Sequence, residues 1–164
     1  MIEWSKGALD IAKNYTVEHL EELAPFGSFD SNHVSLVRED GAMDIYHGKL
    51  RGIDFEGNKL FDDFDYTNYR DYIAEEVRPW TYMKFPFIKS LGTDDGWYRV
   101  GPLSRVNACD FIDTPFAEAA RKEFMAVTDN KPNNITMAYH WARMIETLHS
   151  IEKIKELLHD KDLQ

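Results

Sequence analysis

Three turn-forming pairs, Asp40-Gly41, His47-Gly48 and Gly57-Asn58, cut residues 33–60 into short runs, and this pattern constrains the fold most. Val34, Leu36, Met43, Ile45, Leu50, Ile53 and Phe55 fall within those runs, largely on a two-residue period. Turns so closely spaced leave room only for neighbouring strands joined at their ends. The segment therefore predicts a small antiparallel meander of three or four strands. One face of so short a meander must be covered, most simply by helices.

The flanking segments supply those helices. Ala8, Leu9, Ala12, Tyr15, Leu20 and Leu23 recur at helical spacing and predict a helix over residues 1–24, ended by Pro25 and Gly27. Thr114-Pro115 predicts another start, a hydroxyl cap followed by proline at the first helical position, with the helix running to about Met125. Asn133 or Asn134 is expected to cap a final helix through His159. Its apolar band is Ala138, Trp141, Ala142, Ile145, Leu148, Ile151, Ile154, Leu157 and Leu158. At 1.5 Å per residue, about 24 residues span roughly 36 Å, long enough to act as a spine.

Between these helices, Tyr69, Tyr72, Ile73 and Val77 predict a short helical stripe stopped by Pro79. Residues 80–113 read as mostly irregular and rich in rings, with Trp80, Tyr82, Phe85, Phe87, Trp97 and Tyr98. Long irregular segments in compact domains are usually functional or packed on something else, and these rings carry more apolar area than a solvated loop would. The zone is expected to lie against other protein. The fold class expected is α+β, mainly helical with a small antiparallel β-meander (residues ~33–60) and a long C-terminal helix, residues 1–164 forming a single domain.

Charge and composition remove several functions. With 19 Lys and Arg against 29 Asp and Glu, the formal net charge is −10. Nucleic acid and anionic membrane surfaces both demand cationic patches, so neither is an expected partner. No apolar run approaches the roughly 18 residues of a membrane-spanning helix, and MIEWSKGALD lacks the pattern of a signal peptide. A single cysteine cannot form an internal disulfide, and a cytoplasmic location is expected.

The same cysteine count, with no HExxH among six histidines, excludes a structural zinc site. Asp62, Asp63 and Asp65 lack the spacing of a calcium loop and read as a solvated turn or helix start. Cys109 reads as a buried structural cysteine. The glycines at 92, 96 and 101 form no phosphate loop. No catalytic, cofactor-binding or metal-ligating residue is assigned.

Two segments resist so plain a reading. In GWYRVGPLSR (96–105), the Gly101-Pro102 step imposes extended or turn geometry between Arg99 and Arg105. Arginines so placed hold backbone through forked hydrogen bonds or pair with buried carboxylates. In YHWARMIE (139–146), His140, Arg143 and Glu146 lie on neighbouring turns and are expected to form a structural network, with Trp141 on the apolar band.

The stretch YMKFPFIKSLGTDDGWYRVGPLSRVNACD, with DTPFAEAARKEF and AYHWARMIETLHSIEKI after it, resembles the middle of the large subunit of nickel–iron hydrogenases. The nearest types are the soluble bidirectional NAD-reducing enzymes and a related cofactor-linked group. The resemblance is specific over residues 80–158 and weaker over 33–60. The residues that carry it are Trp97, Tyr98, Arg99, Gly101, Pro102, Leu103, Arg105, His140, Trp141 and Arg143, and it implies a structural role for them. Ser104 stands where alanine is usual, a small swap expected to leave the fold unaltered.

The family's Arg-x-Cys-Gly-x-Cys and Asp-Pro-Cys-x-x-Cys-x-x-His motifs do not occur here, nor does its proline-arginine-glycine segment, so none of its metal ligands is carried over. The resemblance implies a central scaffold portion of such a large subunit. Its parent would oxidise dihydrogen reversibly at a nickel–iron centre and pass electrons to NAD or a similar acceptor. This chain would hold no cofactor and be inactive alone. The implied partners are an iron–sulfur small subunit, together with the remainder of the large subunit. An apolar surface around residues 80–103 predicts a homo-oligomer for the isolated chain. The alternative is a stand-alone interaction module with a hydrogenase- or complex I-like fold and no metal site.

Overall fold

In the computed structural model, which describes residues 1–163, a four-stranded sheet is held against a helical layer. Strands β1 (Asn32–Val37), β2 (Lys49–Ile53) and β3 (Lys59–Phe64) form the antiparallel meander that the turn pairs predict. A fourth strand, β6 (Tyr98–Arg99), lies parallel to β1 with Asn32 opposite Tyr98 and His33 opposite Arg99, giving the order β3-β2-β1-β6. The class is α+β, with helices α1 (Ile2–Glu18), α4 (Pro102–Ala108), α5 (Pro115–Ala126) and α6 (Tyr139–Leu157) carrying most of the remainder. The short helices α2 (Leu20–Leu23) and α3 (Gly92–Asp95) complete the set. None of the described helices is long and apolar enough to cross a membrane.

Two apolar clusters meet at the sheet. On one face, Val34, Phe61 and Ile88 pack together. Gly52 makes room for that packing, since a Cβ there would stand 2.5 Å from the Phe61 ring. On the other side, Leu9, Leu103, Val106, Phe124, Trp141 and Ile145 build the helical core. Phe124 and Trp141 meet edge to face at 5.0 Å. Helix α4 is the element common to both layers, packing on β1 and on α6.

Several local expectations are corrected. Residues 69–77 form no helical stripe: a 3₁₀ turn over Tyr66–Asp71 leads into β4 (Ile73–Val77), which pairs antiparallel with β5 (Lys84–Ile88). The β-branched residues Ile73 and Val77 suit that ladder, and pairing outweighs their helical spacing. Residues 80–113 are accordingly not mainly irregular, since they hold β5, α3, β6 and α4. Pro86 obscured β5. A proline is tolerated there because this sheet has only two strands, both of them edges.

Helix α1 also turns differently. Ser5, Leu9 and Thr16 are its buried positions, whereas Ala8 and Tyr15 face solvent. The final helix begins at Tyr139 rather than near Asn133. A separate 3₁₀ turn covers Thr136–Ala138, and the Asn133 carboxamide accepts the Ile135 N–H.

At the start of α5, the Thr114 hydroxyl is not the cap. It lies 2.9 Å from His149 Nδ1. The Glu152 carboxylate of α6 accepts the Phe116 and Ala117 N–H groups instead, at 3.1 and 2.9 Å. A carboxylate beside free N–H groups at a helix N-terminus gains from the helix dipole as well.

Candidate functional site

The strongest polar network in the chain converges on the segment 97–105. The Asn32 carboxamide donates to the carbonyls of Asp95 and Trp97, both at 2.8 Å, and so holds this segment beside β1. From Arg99, Nε donates to Ser31 Oγ (2.8 Å), Nη1 to Thr136 Oγ1 (3.0 Å) and Nη2 to the Gly27 carbonyl (3.2 Å). Its guanidinium also lies 4.4 Å from the centre of the Phe29 ring. Arg99 thereby ties three distant stretches of chain, which its planar fork of five donors suits.

Immediately after it, Gly101 adopts φ +83°, a left-handed conformation that L side chains rarely adopt. Pro102 then fills the first turn of α4, where its missing N–H costs nothing. The turn aims Leu103 and Ser104, both fully buried, at the sheet and helical core. Ser104 Oγ stands 3.2 Å from Nδ1 of His33, and Nε2 of His33 stands 3.0 Å from Asn134 Oδ1. Burial lowers the His33 pKa to about 4, with the nearby Arg99 cation adding to the effect. The ring is therefore neutral at pH 7. Arg105 closes the latch by gripping Glu146 of α6 through both carboxylate oxygens, and the Tyr139 hydroxyl donates to the Val100 carbonyl at 3.0 Å.

The residues singled out from sequence divide between two places. Tyr98, Arg99, Gly101, Pro102, Leu103 and Arg105 lie in this latch. Trp97 is exposed on its rim and donates Nε1–H to the Thr93 carbonyl at 2.7 Å. Trp141 is buried in the helical core. His140 and Arg143 stand outside, both exposed. The expected His140–Arg143–Glu146 network does not form. Each three-residue step turns about 60° around a helix, which carries Glu146 to Arg105 while the other two face outward. Asn32, His33, Asn134 and Tyr139 were not foreseen, because nothing local marks partners roughly 100 residues apart. Ser104 is more than a neutral swap, because its hydroxyl meets His33.

Around the latch the surface is apolar. A cleft of about 550 Å³ opens between Phe29, Phe55, Leu91 and Trp97, with Asp30 and Asp94 also lining it. Next to it in sequence, the β4–β5 hairpin forms an arm whose turn exposes Trp80 (73 %), Tyr82 (98 %) and Met83 (60 %). An apolar tip this open is unusual for a protein with nothing bound to it.

No constellation here performs chemistry. Cys109 is buried, its Sγ lies 3.6 Å from the Val106 carbonyl, and desolvation raises its pKa to about 11. It is a poor thiolate and a poor metal ligand. No group of three or more His, Cys, Asp or Glu side chains among the described residues is arranged to hold a metal ion.

With that geometry in place, comparison shows what the chain is like. No protein-family model matches it. Over all 164 of its residues it is 40% identical to the NAD-reducing hydrogenase HoxS subunit beta of Cupriavidus necator, of which it covers 33%. It is 39% identical over 163 residues, 99% of its length, to one subunit of the F420-non-reducing vhu hydrogenase of Methanococcus voltae, of which it covers 38%. Its backbone superposes with a TM-score of 0.93 on a crystal structure of NAD⁺-reducing [NiFe]-hydrogenase in the H2-reduced state, at 42% identity. That match covers 99% of this chain and 36% of the other. The chain thus spans about a third of the length of the relatives it matches.

These findings correct the sequence reading. The proteins matched along the whole chain are the HoxS subunit beta and its vhu counterpart, and neither is named a large subunit. The assignment to a central scaffold of the nickel-bearing large subunit is withdrawn, and the free-standing complex I-like module gains nothing from the matches. The residues at hand also do not fit a nickel–iron centre, since the one thiol is buried and protonated.

Proposed function

We propose that this chain serves a hydrogenase, as part of a subunit of the kind named beta in NAD-reducing hydrogenase, and that its role is to dock other hydrogenase polypeptide. It folds as one domain over residues 1–164 and works in the cytoplasm as part of an oxidoreductase assembly. The arm and the latch rim are its contact surface, and the residues Trp97 to Arg105 hold that surface rigid. Without a partner, the same apolar arm brings copies of the chain together.

The observation that carries this reading is the match over 99% of the chain, at 42% identity, to a hydrogenase of known structure. The exposed tip at Trp80, Tyr82 and Met83 agrees with it, because rings and methionine are enriched where proteins meet. The test is to purify the tagged chain from its own host grown with hydrogen and to identify captured polypeptides by mass spectrometry. Hydrogenase polypeptides are expected, and at least tenfold less of them with the Trp80→Asp/Tyr82→Asp variant. Recovery of no hydrogenase polypeptide above an untagged control overturns the proposal.

A further inference from the structure

Helix α1 carries two apolar stripes. One packs inward through Leu9. The other, Trp4, Ala8, Ile11 and Tyr15, repeats at four, three and four residues and faces out, with Trp4 86 % and Ile11 73 % exposed. Eleven residues at 1.5 Å make this outer stripe about 16 Å long, three turns of helix.

It does not stand alone. Met1 and Ile2 share a hollow of about 390 Å³ with Ile154 and Leu158 of α6 and its C-terminal cap. Met1 and Trp4 share another of about 410 Å³ with Thr147 and Ile151. Ascending positions on α1 thus meet descending positions on α6, so the two helices run antiparallel with an apolar groove along their seam. The α6 side of this groove is cationic. Arg143, one turn before Thr147, and Lys155, which lines the first hollow, enter no ion pair among the described residues. By contrast Lys153, two residues away from Lys155, is held by both Asp113 and Glu156. In a chain of net charge −10, two unengaged cations beside one apolar groove are a selective feature.

We infer that the α1–α6 groove receives an amphipathic helix from a partner, apolar on one side and bearing carboxylates along the edge that meets Arg143 and Lys155. A helix supplies apolar side chains at the spacing this stripe repeats, and helix-in-groove docking reads such anchors at three- to four-residue steps. A second copy of this chain is the poorer occupant. It presents a recess to a recess, and two-fold pairing brings the same cations to one rim. The inference rests on the docking role proposed above, and it names a second contact remote from the arm.

The test places the photo-crosslinker p-benzoylphenylalanine at Ile11 in one sample and at Tyr82 in another, each chain being irradiated in its own host and the linked peptides sequenced. Both positions are exposed, and circular dichroism confirms that each chain is folded. The expected result at Ile11 is a link to a hydrogenase peptide with helical apolar spacing and Asp or Glu on one flank. Arg143→Glu should reduce its yield at least fivefold while leaving the Tyr82 link unchanged. Links from Tyr82 to hydrogenase with none from Ile11, or with only a second copy linked at Ile11, overturn the groove and leave the docking role standing. Failure at both positions removes both. A fivefold loss that appears equally at Tyr82 also removes the groove assignment.

Discussion

His33 and Asn134, 101 residues apart, meet at 3.0 Å where β1 touches the start of the last helical segment. The contact forms with a neutral ring, because burial lowers the His33 pKa to about 4 from an ordinary 6.5. The unfolded chain takes up its proton near pH 6.5, whereas the folded chain resists until about pH 4. Stability from this site is therefore complete above pH 6.5 and is lost as pH falls from 6.5 to 4, by up to about 3 kcal/mol. Urea midpoints at pH 7.5 and 4.5 measure it. His33→Gln should show a smaller drop between the two, and an equal drop in both proteins would clear His33 of acid sensitivity.

Arg105 and Glu146 are expected to behave asymmetrically. The Glu146 side chain is only 12 % exposed, so Arg105→Met leaves a carboxylate with little water and no cation. The expected loss is about 2 kcal/mol, below the range for a fully buried pair because Arg105 keeps some solvent contact. Arg105→Met/Glu146→Leu should regain most of it in the same denaturation experiment. A double variant as weak as the sum of two costly singles would show that the pair itself matters little.

The cap supplied by Glu152 can be removed without touching α5. Glu152→Ala strips the Phe116 and Ala117 N–H groups of their acceptor and should destabilise the chain by about 2 kcal/mol. Hydrogen exchange at those two amides should accelerate ahead of the rest of the helix. Unchanged exchange there would mean that solvent or another group caps α5.

Gly52→Ala tests the close approach of Phe61. The ring is buried and also contacts Tyr72, with centroids 5.2 Å apart, so it has little room to yield. A loss of about 1–3 kcal/mol is expected from overpacking. In a Phe61→Leu background the same alanine should cost less.

The arm should govern self-association and not folding. Trp80→Ser/Tyr82→Ser is expected to leave Tm within about 1 °C, since substitutions at exposed positions outside special features change stability little. Light scattering should shift from an oligomer toward the mass of one chain. A wild-type protein that is already monomeric at high concentration refutes the homo-oligomer.

What the sequence displayed depended on how far each residue had to look for its partner. The meander was legible because Asp40-Gly41 and Gly57-Asn58 speak through local turn chemistry, and α5 because Thr114-Pro115 marks its start. Strand β4 was hidden because Ile73 and Val77 also fit a helical period, and only pairing with residues 84–88 decides between the two. Strand β6 is two residues long and finds β1 more than 60 residues back, beyond any periodicity. At the candidate site, Arg99, Gly101 and Arg105 stood out as residue types with few ordinary uses. Their partners Ser31, Thr136 and Glu146 did not, since a lone serine, threonine or glutamate is unremarkable until the chain is folded. The outward turn of Arg143 was hidden in the same way.

The β4–β5 hairpin leaves and rejoins the body at one point, where the Lys89 N–H donates to the Tyr72 carbonyl at 2.8 Å and Ile73 lies opposite Ile88. Residues 74–87 are in consequence a detachable cassette. A two-residue linker joining Ile73 to Ile88 would shorten the chain without opening its interior, and a foreign loop grafted there would be displayed on a mount that stays put.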